Sequence, residues 1–143
     1  MTPEATFAVR QPVLRPGKTI DTCIFDGDSL PTTLHFGIYD DKVLLGVISV
    51  FEANHPFFTE ERQFQIRGMA VLSEHQKKGL GEKLVQKAEE YIMAKHGSRV
   101  WFNAREIAVG FYQKMGYTVI GKAFNIGDIG AHYVMHKILA PHS

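Results

Sequence analysis

Cysteine is nearly absent. Cys23 is the only one in 143 residues, so no internal disulfide can form and a reducing compartment is expected. A basic excess is lacking too: Lys and Arg number 16 against 15 Asp and Glu, a formal net charge of +1. Dedicated nucleic-acid domains usually carry a large positive surplus, so no nucleic-acid partner is expected. Long apolar runs are missing, since VLLGVISVF (Val43 to Phe51) amounts to about half a membrane span. The N-terminal stretch holds Glu4, Arg10, Arg15 and Pro16 with no apolar signal core. Nor is there a repeat, a low-complexity tract or a Pro/Gly/Ser-rich linker. These absences predict a soluble, cytoplasmic protein with residues 1–143 in one domain. That length can bury about 70% of its unfolded surface without a disulfide or metal staple.

What is present reads as strands first and helices later. Thr6 to Arg10 is predicted as an opening strand, and the following PVLRPGK allows only a short helix or an irregular connection. FDGDSLPTTL is loop-like. HFGIY and VLLGVISVF, joined by Asp40-Asp41-Lys42, predict a hairpin. EANHPFFTEERQ is a polar loop with an aromatic patch, and Gln65 to Val71 predicts a central strand with a bulge at Gly68. Leu80, Leu84, Val85, Ala88, Tyr91 and Ile92 then fall at helical spacing, with Gly97 expected as the left-handed terminator. Arg99 to Ala104 predicts a buried strand carrying Trp101 in the core. Glu106 to Met115 predicts a second helix with Ile107, Ala108, Phe111 and Met115 as its apolar stripe and Gly116 at its end. YTVIGKAF and HYVMHKIL close the chain as two strands around NIGDIG. The order predicts a mixed α+β sheet with helices packed on it.

The chemistry concentrates where a strand passes into a helix, in AVLSEHQKKGLGEKL. Gly79 and Gly81 bracket the first helical turn, where backbone N–H groups lack intrahelical partners and negative charge is favoured. Missing Cβ atoms let a ligand come close, and Lys77 and Lys78 add positive charge. A GxG pair at a helix start is also ordinary punctuation, so alone it decides little. A P-loop is excluded, because Gly81 is followed by Glu82 and Lys83. A dinucleotide fingerprint is excluded, because Leu84 stands where a third small residue belongs.

A second block, AREIAVGFYQKMGY, lies on the next helix, and a β-α-β unit puts the starts of both helices at one sheet edge. Together QKKGLG and FYQKMGY resemble the acetyl-CoA site of the GNAT superfamily of N-acetyltransferases. Gln76, Gly79 and Gly81 match its [QR]-x-x-G-x-[GA] signature. The resemblance covers roughly residues 64 to 138. The ending FNIGDIGAHYVMHK is similar to that of ElaA-like members, and Asp28 and His35 echo the same branch. The implied fold is a central mixed, mostly antiparallel sheet with a splayed parallel strand pair, flanked by helices. The resemblance implies that the backbone of Met69, Ala70 and Val71 bonds the pantetheine arm of acetyl-CoA. It implies that Gln76 and the amides of Lys77, Lys78, Gly79, Leu80, Gly81 and Glu82 hold the pyrophosphate. Tyr112 is expected to face the coenzyme sulfur and to donate a proton as the thiolate leaves. Its bland alternative is a half-buried aromatic, but Phe111 rather than Tyr112 fits the apolar stripe.

The sequence also departs from that pattern. The strand that carries a basic glutamate in some members offers Gln65 and Arg67 here, leaving a water chain, Glu52, His55 and His132 as candidates for the base. Arg105 stands where many members have an asparagine against the pantetheine, a contact Asn103 is expected to share.

No metal is expected. His132 and His136 lie four apart in a strand, about 13 Å, too far for one ion. DGDSL starts like a calcium loop, but Pro31 and Gly37 stand where the turn glycine and bidentate glutamate belong. Cys23 reads as a small buried hydrophobe rather than a nucleophile. Phe57 and Phe58 are candidates for an acceptor pocket or a homodimer contact, with simple packing the alternative. With no activated covalent nucleophile in view, the expected activity is direct transfer of acetyl from acetyl-CoA to a primary amine of a small molecule, peptide or protein. The competing reading is a non-catalytic acyl-CoA-binding or regulatory module. No charged patch in the sequence chooses among acceptors.

Overall fold

The computed structural model describes residues 1–127 and 129–139. Among the described residues six strands form one sheet in the order β1-β2-β3-β4-β6-β5. They are β1 (Leu34–Asp40), β2 (Val43–Glu52), β3 (Gln63–Val71), β4 (Arg99–Arg105), β5 (Thr118–Ile126) and β6 (Gly130–Ile138). Among the described residues three α-helices accompany them: α1 (Phe7–Leu14), α2 (Leu80–Ala94) and α3 (Val109–Lys114). Asp41 takes φ +56° in the β1–β2 turn, where the acidic turn residues predict the hairpin. All strand pairs are antiparallel except β3 and β4. Asp128, in the NIGDIG turn between β5 and β6, lies outside the described residues.

The two faces of the sheet are covered differently. On one, α2 buries Leu84, Val85, Ala88 and Ile92 against Ile48, Val50, Phe64, Ile66, Val100 and Phe102. On the other, α1 sets Val9 against Val47 and Ala70. Among the described residues no helix is long and apolar enough to cross a membrane. No group of three or more His, Cys, Asp or Glu among them is placed to hold a metal.

Three local expectations are corrected. Thr6 to Arg10 is helical, not a strand: Thr6, Val9 and Arg10 are fully buried on one side of the helical start. Arg10 is a core residue there, so a polarity pattern hides the stripe. Gly97 does not terminate α2 through a left-handed conformation; His96 does, at φ +62°. Gly97 is needed for space instead, since a Cβ there would run into Ile92 and sit 2.7 Å from the Phe64 ring. The stripe of α3 holds only in half: Ala108 and Met115 pack against the core, but Ile107 and Phe111 do not. Ile107 is 92% exposed and Phe111 38%, while Tyr112 is buried at 8%. Residues Glu106–Ala108 form a 3-10 turn before the α-helix, and its three residues per turn, against about 3.6, shift the phase of the stripe.

Candidate acyl-CoA cleft

The parallel contact between β3 and β4 lasts three residues, Gln63, Phe64 and Gln65 against Arg99, Val100 and Trp101. Beyond it β3 keeps β2 and β4 keeps β6, and the two strands part. The bulge predicted at Gly68 lies at this point. Ser49 opposes Arg67 and Val47 opposes Ala70, so β3 carries one extra residue, and Gly68 sits at φ +65°. A bulge bends and twists its strand, which turns β3 away from β4. Met69, Ala70 and Val71 thus border the gap with no β4 ladder opposite them. The gap is a cleft of about 860 Å³, within the usual size of a ligand site.

One end of the cleft is the start of α2. Lys77 and Gly79 both have positive φ, +64° and +80°, and together they curl the chain back into the helix. The first amide of this turn to find an intrahelical acceptor is that of Lys83, bonded to Gly79 O at 3.2 Å. The N–H groups of Leu80, Gly81 and Glu82 are therefore the free donors of the helix start. Gln76 donates from Nε2 to Val71 O at 2.9 Å, tying the loop to the end of β3. Gln76, Lys77, Gly79, Leu80 and Gly81 line the cleft; the side chains of Lys78 and Glu82 are exposed outside it. Space for a ligand is open at Gly79, where an added Cβ meets nothing within 4 Å.

Tyr112 forms part of the opposite wall. Its ring packs on Phe102 at 4.4 Å and on Phe111 at 5.0 Å between centroids. Burial alone raises its pKa to about 12, so the phenol is neutral at physiological pH. Tyr117, next to it, is different: its hydroxyl donates to Glu89 Oε2 at 2.7 Å. Of these two phenols only Tyr112 lines the cleft. Tyr112 thus packs in the core through its ring and borders the cleft.

Comparison with known proteins agrees with this geometry. The model of the Acetyltransferase (GNAT) family matches residues 6–117. The chain belongs to the GNAT acetyltransferase family. YitI of Bacillus subtilis (strain 168), described as an uncharacterized N-acetyltransferase, is 33% identical over 136 residues, 95% of this chain and 91% of YitI. An aminoglycoside 6'-N-acetyltransferase complexed with coenzyme A shares the fold with TM-score 0.74 at 14% identity, over 99% of this chain and 92% of that one. Escherichia coli ElaA shares it with TM-score 0.67 at 17% identity, over 80% and 74%.

Within this GNAT frame the remaining candidates separate. Asn103 and Arg105 both line the cleft, two residues apart on β4, so both stand beside the place the resemblance gives to one asparagine. Glu52 is exposed and pairs with Arg62 at 3.3 Å, beside a separate depression. His55 accepts the Phe57 amide on Nδ1 and meets Trp101 edge-on, 4.8 Å between ring centres, and burial lowers its pKa. It does not line the cleft. His132 does. Its Nδ1 lies 2.9 Å from Gly130 O, and a carbonyl only accepts, so in the neutral ring Nδ1 carries the proton and Nε2 is the acceptor. Phe58 is buried under Arg99 and His136, and Phe57 rests against Gly121; neither lines the cleft. Sequence reasoning missed Arg15 and Phe25, which line it from the segment after α1. No motif marks them, because only the packing of α1 on β3 brings them there.

Proposed function

We propose that this chain is a single N-acetyltransferase domain that moves an acetyl group from acetyl-CoA to a primary amine by direct attack in a ternary complex. The continuity of the cleft carries the proposal. An unpaired strand edge suited to an amide-rich arm, free helix amides suited to a pyrophosphate and a neutral phenol line one space. The amine nitrogen attacks the thioester carbonyl carbon, the C–S bond breaks, and the products are an acetamide and free coenzyme A thiol. Tyr112 supplies a proton or hydrogen bond to the departing sulfur. His132 Nε2 is the group that takes the proton from the amine, directly or through one water. Lys77 and the amides of Leu80, Gly81 and Glu82 hold the phosphates. The buried, unpaired Cys23 suits a reducing, cytoplasmic setting.

A two-step measurement tests this. Acetyl-CoA should raise the melting temperature, since a ligand bound to the native state alone stabilises it. A panel of primary amines should then release thiol from acetyl-CoA in the protein's presence. Stabilisation without release on any amine would favour a non-catalytic acyl-CoA-binding module.

A further inference from the structure

Arg67 is a half-buried guanidinium without a counter-ion among the described residues. The ion pairs there join Arg10 to Asp28, Arg62 to Glu52, Arg99 to Glu60 and Lys137 to Glu89. Arg67 instead lies over two rings, 4.7 Å from the centre of Phe25 and 5.6 Å from that of Phe51. Arg15 approaches the same Phe25 ring at 5.8 Å. Both arginines line the cleft, and no Asp or Glu among the described residues does. Asp28 is nearby, but Arg10 holds both its oxygens, at 2.7 and 3.1 Å. Burial lowers the pKa of Arg67; the attraction of Asp28 and exposed Asp26 opposes this, while the charges of Arg10 and Arg15 add to it. A desolvated charge left unpaired is costly, and an anion delivered by a ligand would remove that cost.

The coenzyme does not fill this role. Arg67 opposes Ser49 across the β2–β3 ladder, and residues opposed in a ladder share a face of the sheet. Ser49 accepts from Arg10 of α1 at 2.9 Å, so Arg67 belongs to the face that α1 covers. The phosphate cradle at the start of α2 belongs to the other face. We infer that Arg67, assisted by Arg15, is an anion subsite for the acceptor, which is an amine carrying a carboxylate or a phosphate. This rests on the acetyl-transfer reading above and names its substrate class. A guanidinium suits either anion, which it can bind through two parallel N–H donors. Polycationic amines are disfavoured by the same charges.

Matched acceptors test the inference by thiol release at saturating acetyl-CoA. An amino acid against its amide forms the carboxylate arm, phosphoethanolamine against ethanolamine the phosphate arm, and spermidine serves as polycation. In at least one arm the anionic member should exceed its neutral twin in kcat/KM by about tenfold or more, mainly through KM, as for a charged hydrogen bond. The arm that shows it identifies the anion. Arg67→Gln should bring that ratio close to one while the KM for acetyl-CoA stays within about twofold, and Arg67→Lys should keep part of the preference. Neutral twins or spermidine used as well as the anionic amines would overturn the anion subsite and leave acetyl transfer standing. So would a ratio unmoved in both variants. Bound acetyl-CoA with no amine turned over would overturn both.

Discussion

Tyr112 is where packing and the proposed chemistry fall on the same side chain, and a substitution can take them apart. Its ring is held by Phe102 and Phe111, and Tyr112→Phe keeps the ring. The melting temperature and the affinity for acetyl-CoA should therefore change little. In the proposed reaction the hydroxyl acts while the thiolate leaves, so kcat should fall about 10²-fold, the usual range for a positioned acid, with KM for acetyl-CoA nearly unchanged. Lower stability with normal turnover would make Tyr112 a packing residue alone. His132→Gln is the companion variant. It should lower kcat with the KM for acetyl-CoA nearly unchanged, since the ring lines the cleft without belonging to the phosphate end; an unchanged kcat would return the proton to water.

At the scale of elements, the phosphate cradle proposed at the start of α2 is made of backbone. A Cβ at Gly81 would make ordinary contacts, 3.4 Å from Met69 Cε and 3.4 Å from Phe111 Cζ, so an aspartate there fits the fold. An acid in the first turn even favours the helix through its dipole. Gly81→Asp should therefore melt no lower than the parent. It should nonetheless bind acetyl-CoA at least about tenfold more weakly, roughly 1.4 kcal/mol, because the carboxylate competes for the amides meant for phosphate. Titration of acetyl-CoA against both proteins checks this, and equal affinities would remove the cradle assignment. The parting of β3 from β4 is the second device of this scale. It follows from a single inserted residue at Gly68.

Across the whole molecule, one buried polar knot fixes α1 to the sheet and so shapes the side of the cleft proposed for the acceptor. Arg10 donates to Cys23 O, to Asp28 and to Ser49 Oγ. His35 closes the network against Ser49 Oγ at 2.6 Å and Asp28 O at 2.9 Å. Burial raises the pKa of Asp28, but the hydrogen bonds from Arg10 and the Phe25 amide outweigh it, so the net shift is below the ordinary 3.8. The folded carboxyl thus holds its proton less tightly than the unfolded one. Its stabilisation is fully present above the ordinary value and is lost as pH falls through the lower folded value. Urea melts should show stability flat near neutrality and dropping below about pH 4. Asp28→Asn leaves the Arg10 charge buried and unpaired and should cost about 3–5 kcal/mol at pH 7, with a shallower loss in acid. A variant as stable as the parent would make the knot incidental.

Much of this was legible in the residues themselves. Turn chemistry marked the β1–β2 hairpin, helical period marked α2, and the Gly68 bulge followed from a glycine inside a strand pattern. QKKGLG and FYQKMGY marked both walls of the cleft, since those signals are local: a glycine pair, a helix start, an aromatic one strand later. Periodicity failed where a buried arginine posed as a polar residue in α1 and where a 3-10 turn shifted the phase before α3. Tertiary structure alone decided the Arg15 and Arg67 side of the cleft, the one proposed for the acceptor. A net charge of +1 shows no patch, because it averages over the surface. Packing α1 on β3 gathers Arg15 and Arg67 around Phe25, while Arg10 takes up the charge of Asp28. Those residues are far apart in the chain, and the field they make exists only once the sheet and α1 have met.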